Sequence, residues 1–162
     1  MSLATDSIFI TALQTNAELM EALGYVAPTE KSEGVPPRLY GTAIPLPDED
    51  ADNAPVPYII VMFDGLQNDE GTKDDRYESQ YDKVNISIEV AAKELDDLET
   101  LTKLVRSTIL TYLQENETAI EDYHFSAEGI VYNADKPCYW QVLNYQCDVN
   151  NAYDDGTEET NE

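Results

Sequence analysis

The sequence predicts an α+β fold, with a mainly antiparallel sheet of about five strands and two helices packed on one face. Within the predicted strand at residues 83–92, residues 83–90 alternate between polar and apolar side chains, which is typical of a strand with one buried face. Residues 94–115 repeat leucine, valine and isoleucine at helical spacing. No helical pattern separates the second and third predicted strands, so the element order is α-β-β-β-α-β-β.

The first helix is expected from Asp6 or Ser7 to Leu23, because apolar residues recur at helical spacing and Gly24 follows as a stop signal. Residues 25–37 contain three prolines and read as a loop, and residues 38–44 then form a short strand. Prolines enclose an acidic segment, residues 47–54, which neither a helix nor a central strand could contain. It is predicted to be a surface loop.

The second predicted strand, residues 58–63, reads Tyr-Ile-Ile-Val-Met-Phe and is wholly apolar. A strand with one wet face alternates, and this one does not, so both of its faces must be shielded from water. Two helices on one side of a sheet leave the other side uncovered. We therefore expect a protein that self-associates or docks onto a partner.

The remaining segments complete a single domain over residues 1–149. Residues 64–81 are rich in Gly, Asp, Glu and Asn and are predicted to form a long flexible hairpin arm. Residues 123–133 and 138–149 are predicted to be two strands joined by a short turn at residues 134–137. The acidic residues 150–162 are expected to be a disordered tail.

The chain is strongly acidic, with 33 Asp and Glu against 9 Lys and Arg and a formal net charge of −24 at pH 7. Such a molecule repels phosphate and cannot gain affinity by counterion release, so specific nucleic-acid binding is excluded. No apolar run approaches the ~20 residues that a bilayer crossing needs. Residues 1–10 contain no Lys or Arg and do not read as a signal peptide. The sequence predicts a protein made and kept inside a cell.

One acidic segment resembles the start of a calcium loop, with Asp48, Asp50 and Asp52 at alternate positions. An EF-hand requires Gly at its sixth position and Glu at its twelfth, where Asn53 and Ile59 stand here. We therefore expect no specific metal site.

Catalytic chemistry is also not indicated. His124 is the only histidine and forms no zinc-binding set with Cys138 and Cys147. These cysteines lie nine positions apart in one predicted strand, on opposite faces and ~30 Å apart at ~3.3 Å per residue, so they are expected to be free thiols. The chain has no nucleophile elbow and no Gly-rich phosphate loop. We expect no cofactor and no enzymatic activity.

An interface is the function that the pattern does indicate. Tyrosine, which combines apolar area with a polar tip, occurs eleven times. The apolar strand and the closing strand supply the candidate subunit or tail interface residues, which are Tyr58, Ile60, Met62, Tyr139, Trp140, Leu143 and Tyr145.

Taken in order, these elements resemble the tail terminator, or tail completion, family of long-tailed bacteriophages, of the lambda minor tail protein type. The resemblance covers about residues 5–150. It rests on Leu-Met-Glu-Ala-Leu-Gly at residues 19–24, Arg-Leu-Tyr at 38–40 followed by Ile-Pro at 44–45, and Pro-Tyr-Ile-Ile-Val at 57–61. The alternating strand, the leucine-rich helix and the closing Tyr-Gln-Cys-Asp-Val at residues 145–149 complete it.

The resemblance implies a non-enzymatic virion protein, assembled in the host cytoplasm, that forms a ring, commonly a hexamer, on the head-proximal end of the tail tube. The ring would stop tube polymerisation and present a surface to head-completion proteins, and phage DNA would pass through it. The family has no catalytic residues to transfer. The acidic arm and the acidic C-terminus depart from its small members.

Two other functional classes are also compatible with the sequence. Another head-tail connector or a tail tube component would share the fold-level pattern. An acidic inhibitor that mimics DNA would need carboxylates spaced regularly along ordered elements, whereas here the loops hold most of the acid.

Overall fold

A computed structural model describes residues 5–41, 55–68 and 80–152 of the chain. Three helices and six strands follow one another in this part. They are α1 (Thr5–Gln14), α2 (Ala17–Ala22), β1 (Leu39–Gly41), β2 (Tyr58–Asn68), β3 (Tyr81–Ala92), α3 (Leu95–Glu115), β4 (Ile120–Ala127), β5 (Val131–Asn133) and β6 (Cys138–Asn150). The predicted α+β class is confirmed. The predicted acidic loop at residues 47–54 and most of the predicted tail lie outside the described residues.

The predicted first helix is two helices, and Asn16 is the reason. Its side chain accepts a hydrogen bond from the Leu19 amide at 3.1 Å and so caps the start of α2. Its Nδ2 donates to Thr108 Oγ1 on α3 at 2.8 Å. The prediction of one continuous helix was wrong because Asn16 satisfies the orphan amides of a second helix start while it anchors the break to α3.

The strands form one sheet in the order β1-β2-β3-β6-β4, with β5 also paired to β6. All pairings are antiparallel except that of β1 with β2. The predicted strand at residues 123–133 is divided, since β4 pairs with the second half of β6 and β5 with the first. The predicted arm is partly strand, because β2 and β3 stay paired as far as Asn68 and Asp82.

One face of the sheet, the helix face, packs against all three helices and forms the main core. Its centre is a ladder across the sheet in which Val61 pairs with Ile88 and Ile88 pairs with Leu143. Each of these side chains is at most 2% exposed. From the helices, Phe9, Leu13, Leu98 and Val105 pack onto the same cluster. Burying side chains of this size stabilises the fold by ~1.5–3 kcal/mol each.

Tyr145 lies in the middle of this core and is 1% exposed. Its ring centroid lies 5.0 Å from that of Phe9, 5.4 Å from that of Tyr123 and 5.1 Å from that of Phe125. Its buried hydroxyl has no hydrogen-bond partner among the described residues. Such a group carries a desolvation cost without compensation.

Replacing Tyr145 by phenylalanine is therefore expected to leave the free energy of unfolding unchanged or to raise it by about 1 kcal/mol. Urea denaturation measures the effect. Tyr58→Phe is the matched control, because the Tyr58 hydroxyl donates to Glu89 Oε2 at 2.9 Å and its loss is expected to cost about 1 kcal/mol. A clear loss of stability in Tyr145→Phe would show that the hydroxyl is satisfied in solution.

Candidate assembly surface on the open face of the sheet

The second face of the sheet, which we call the open face, carries the alternate side chains of β2, β3, β6, β4 and β5. No helix of the described residues packs on it. The strand register arranges its side chains in rows that run across the sheet. These rows change from apolar at one end of the strands to charged at the other.

The apolar end is built on a row of four residues in register across β2, β3, β6 and β5: Tyr58, Ala91, Trp140 and Val131. Tyr58 is 8% exposed, Ala91 is fully buried, and Ile60 in the next row is 7% exposed. Around them pack the partly buried side chains of Tyr40, Val56, Met62 and Trp140. This cluster is separate from the main core, and among the described residues it packs against its neighbours on the sheet and against Val56.

Tyr58 is held in place by charged neighbours on both sides. Its hydroxyl donates to Glu89 Oε2, and the Lys136 ammonium lies 5.2 Å from its ring centroid. Burial, and then the Glu89 carboxylate, raise the pKa of Tyr58 well above its ordinary value. The phenol therefore stays a neutral hydrogen-bond donor at every physiological pH.

From the row of Met62 onward, the residues of the open face are polar apart from Met62 itself and Gly65. Met62 pairs with Ser87 and Ser87 with Asn144, and the Ser87 hydroxyl donates to the Asp64 carboxylate. Asn144 Nδ2 in turn donates to Glu128 Oε2 at 3.0 Å. At the far end Lys83 and Asp148 form an ion pair at 2.9 Å, with both side chains more than 40% exposed. This end of the face is suited to water, and only the apolar end is suited to a partner.

The structure brings four of the seven predicted interface residues together, since Tyr58, Ile60, Met62 and Trp140 share the open face. It places Leu143 and Tyr145 in the main core, 2% and 1% exposed, where they cannot contribute to a surface of the subunit. Tyr139 also lies on the helix face, partly buried against that core.

Their predicted place on the second face is therefore corrected. Odd-numbered residues of β6 pair with inward-facing residues of β3, and this pairing decides which side is buried. The predicted residues that do share the open face, from the apolar strand and from the closing strand, lie in one cluster. Sequence reasoning missed Val131, whose only signal was its place in a charge-free segment beside the predicted turn.

Both cysteines are free and buried, as their positions in the strand predicted. Cys147 faces the main core, where burial raises its thiol pKa to about 12. Cys138 lies on the open face, and burial raises the pKa of its thiol as well. Neither thiol is positioned to act as a nucleophile.

Within residues 5–41, 55–68 and 80–152, no three His, Cys, Asp or Glu side chains are grouped closely enough to hold a metal ion. Over the same ranges, every helix is too short or too polar to span a bilayer. His124 is exposed on β4, in a polar row of the open face with Gln146.

No protein-family model matches the sequence, and no curated protein matches it. The solved structures to which this chain is similar include the following two. A chain from the virion of a native gene transfer agent particle has a TM-score of 0.49 at 14% identity, over 91% of this chain and 98% of that one. The gp17 protein of bacteriophage SPP1 has a TM-score of 0.42 at 14% identity, over 94% of this chain and 96% of its own. These likenesses are too distant to assign a function.

Proposed function

We propose that this chain is a non-enzymatic structural protein of a phage virion. In this proposal it forms a ring, commonly a hexamer, that caps the head-proximal end of the tail tube. The ring ends tube polymerisation and offers a surface for joining to the head. Its partners are further copies of itself, the tail tube protein and a head-completion protein.

One observation carries the proposal, which is the apolar end of the open face. Met62 and Trp140, which are partly exposed, lie beside the buried Tyr58 and Ile60 on the side of the sheet that the described helices leave uncovered. Partly exposed apolar side chains at such a place support a protein-protein contact there. The order of elements also agrees with the family that the sequence resembles.

The charge of the chain fits the same role. A ring around the path of DNA works best if DNA does not bind to its wall. A subunit with a net charge of −24 repels phosphate and gains no affinity from counterion release. Mapping carboxylates onto an experimental ring tests this point, and a neutral or basic bore contradicts it.

The decisive experiment is the mass of the purified protein, measured by size-exclusion chromatography with light scattering, together with electron micrographs. A stable closed ring is expected. A monomer that persists at high concentration contradicts the proposal. Long stacks of rings would instead indicate a tube subunit, because a terminator stops after one ring.

A pair of variants on the open face tests which end binds. Met62→Glu places a charge at the apolar end, beside Asp64 and in register with Ser87. Gln67→Glu adds the same charge at the polar end, opposite Lys83. We expect Met62→Glu to weaken co-sedimentation with tail tubes by tenfold or more, a change of about 1.4 kcal/mol. Gln67→Glu is expected to be neutral, and equal behaviour of the two variants contradicts the assignment.

A further inference from the structure

Among the described residues, six of the ten large apolar side chains that are strongly exposed gather at two places near opposite edges of the sheet. The other four, Phe63, Leu66, Leu95 and Leu110, lie elsewhere on β2 and α3. The first place, the β5 patch, consists of Ile130, Val131 and Tyr132, which are 42%, 40% and 53% exposed. The second place, the hairpin groove, lies beside α2 and carries Tyr25, Val26 and Val35, which are 40%, 53% and 48% exposed.

The β5 patch is a rigid apolar projection. The Tyr132 ring packs against Tyr139 with 5.0 Å between centroids, and the pairing of β5 with β6 holds the backbone. Residues 129–134 contain no charged side chain. Val131 stands opposite Trp140 and continues the apolar row of the open face, whereas Tyr132 stands opposite Tyr139 on the helix face, so the patch covers both sides of this sheet edge. Few side-chain rotamers would have to be immobilised when it docks.

The hairpin groove contains a cavity of about 710 Å³, and the apolar side chains that line it include Met20, Ala27 and Pro37. Glu21 is the one charged residue in its lining. Val26 and Val35 exchange two backbone hydrogen bonds of 2.9 Å and hold one wall in place. Gly34, at φ +78°, permits this turn, since a Cβ there would collide with the Val26 carbonyl oxygen.

The two surfaces occupy the positions that a ring requires. The hairpin leads directly into β1, where the Arg38 amide donates to the Leu23 carbonyl at 2.9 Å, and β1 is one edge of the described sheet. β5 lies on the far side of β6, four strand spacings away, or about 19 Å at ~4.8 Å per strand. A contact between two different patches on opposite sides of a subunit is heterologous and builds rings or filaments.

Charge selects the same pair of surfaces. Two copies that each carry a net charge of −24 repel one another, and a carboxylate buried without a partner at the centre of a contact is costly. The β5 patch is uncharged, and the floor of the hairpin groove is almost uncharged. Two copies can therefore meet on these two surfaces with little electrostatic penalty.

We infer that the β5 patch of one copy docks into the hairpin groove of the next copy and that this contact closes the ring. This inference rests on the proposed ring-forming function and names the subunit junction within it. The apolar end of the open face around Tyr58 and Met62 then remains for the tail neighbours.

The test uses two single variants of the full chain. Val131→Glu charges the β5 patch, and Val26→Glu charges the hairpin groove. Each is expected to abolish the ring, with a junction weakened a hundredfold or more. Leu110→Glu is the matched control, because Leu110 is 43% exposed on α3, outside both surfaces, and this variant is expected to form rings. Circular dichroism verifies that all three variants fold.

Mixing the two defective variants distinguishes a heterologous contact from a symmetric one. Each variant retains one intact surface, so an equimolar mixture contains one functional junction and is expected to form dimers and nothing larger in analytical ultracentrifugation. A ring that survives either substitution overturns the inference, as does a mixture that stays monomeric. A monomeric unmodified protein would contradict the proposed function. An unmodified protein that forms rings, together with variants that also form rings, would contradict only the inferred junction.

Discussion

Replacing Phe9 by alanine is expected to lower the free energy of unfolding by about 3–5 kcal/mol, the usual cost of truncating a buried aromatic side chain. Phe9 is 1% exposed and joins α1 to the sheet through its contact with the Tyr145 ring. Alanine is an excellent helix former, so the substitution leaves the helical propensity of α1 intact and removes only packing. The substitution would leave a cavity between α1 and the sheet, beside the Tyr145 ring.

Urea denaturation of the two proteins measures this difference. Leu110→Ala is the control, because that side chain is 43% exposed on α3 and its truncation is expected to cost less than about 1 kcal/mol. A cost below about 1 kcal/mol for Phe9→Ala would mean that α1 does not pack on the sheet as described. Both variants retain the residues of the proposed junction.

The second large effect is a loss of stability in alkaline solution. Burial raises the pKa of the Cys147 thiol from 9.0 to about 12. Below pH 9 this thiol is protonated in the folded and unfolded chain alike, and the protein has its full stability. Between pH 9 and pH 12 only the unfolded chain releases the proton, so the free energy of unfolding falls by about 1.4 kcal/mol per pH unit, or about 4 kcal/mol in all.

Two tyrosines act in the same direction. Burial raises the pKa of Tyr145 and of Tyr58 above the ordinary value of 10.0. Above pH 10 the unfolded chain therefore releases further protons that the folded chain retains. The decline in stability is expected to steepen above pH 10.

Urea denaturation at a series of pH values from 8 to 11 measures this slope. Cys147→Ala is expected to make the slope shallower by about one proton between pH 9 and pH 11. Val149→Ala is the matched control, because Val149 is 1% exposed on the same face of β6 and does not ionise. It should lower stability at every pH and leave the slope unchanged. A stability that stays constant from pH 8 to pH 11 contradicts the buried position of Cys147.

Local patterns in the sequence were sufficient for several elements. Residues 84–90 alternate apolar and polar side chains, and all four apolar ones are buried on the helix face of β3. The leucine-rich segment is one long helix, Leu95–Glu115, close to its predicted bounds. Both features depend on a periodicity of two or 3.6 residues, which can be recognised within one segment without knowledge of the segments that pack against it.

The break between α1 and α2 shows where local pattern is insufficient. The apolar spacing continues past Asn16, and only the contact of Asn16 with Thr108, 92 positions later, distinguishes a break from a polar residue on a continuous helix. The division of the predicted strand into β4 and β5 has a similar origin, since both pair with one longer strand.

The sequence by itself determined the α+β class and the acidic character of the chain. It predicted cover on both faces for residues 58–63, and residues 58–61 are at most 8% exposed, whereas Phe63 is 45% exposed. Tertiary structure alone decided which face of β6 is buried. Trp140 and Val142 lie on one face, Tyr139, Leu143 and Tyr145 lie on the other, and both sets are apolar. The pairing of Ile88 with Leu143 resolves the choice. A strand register is set by side chains far apart in the chain, and a shift by one residue would exchange the core and the surface.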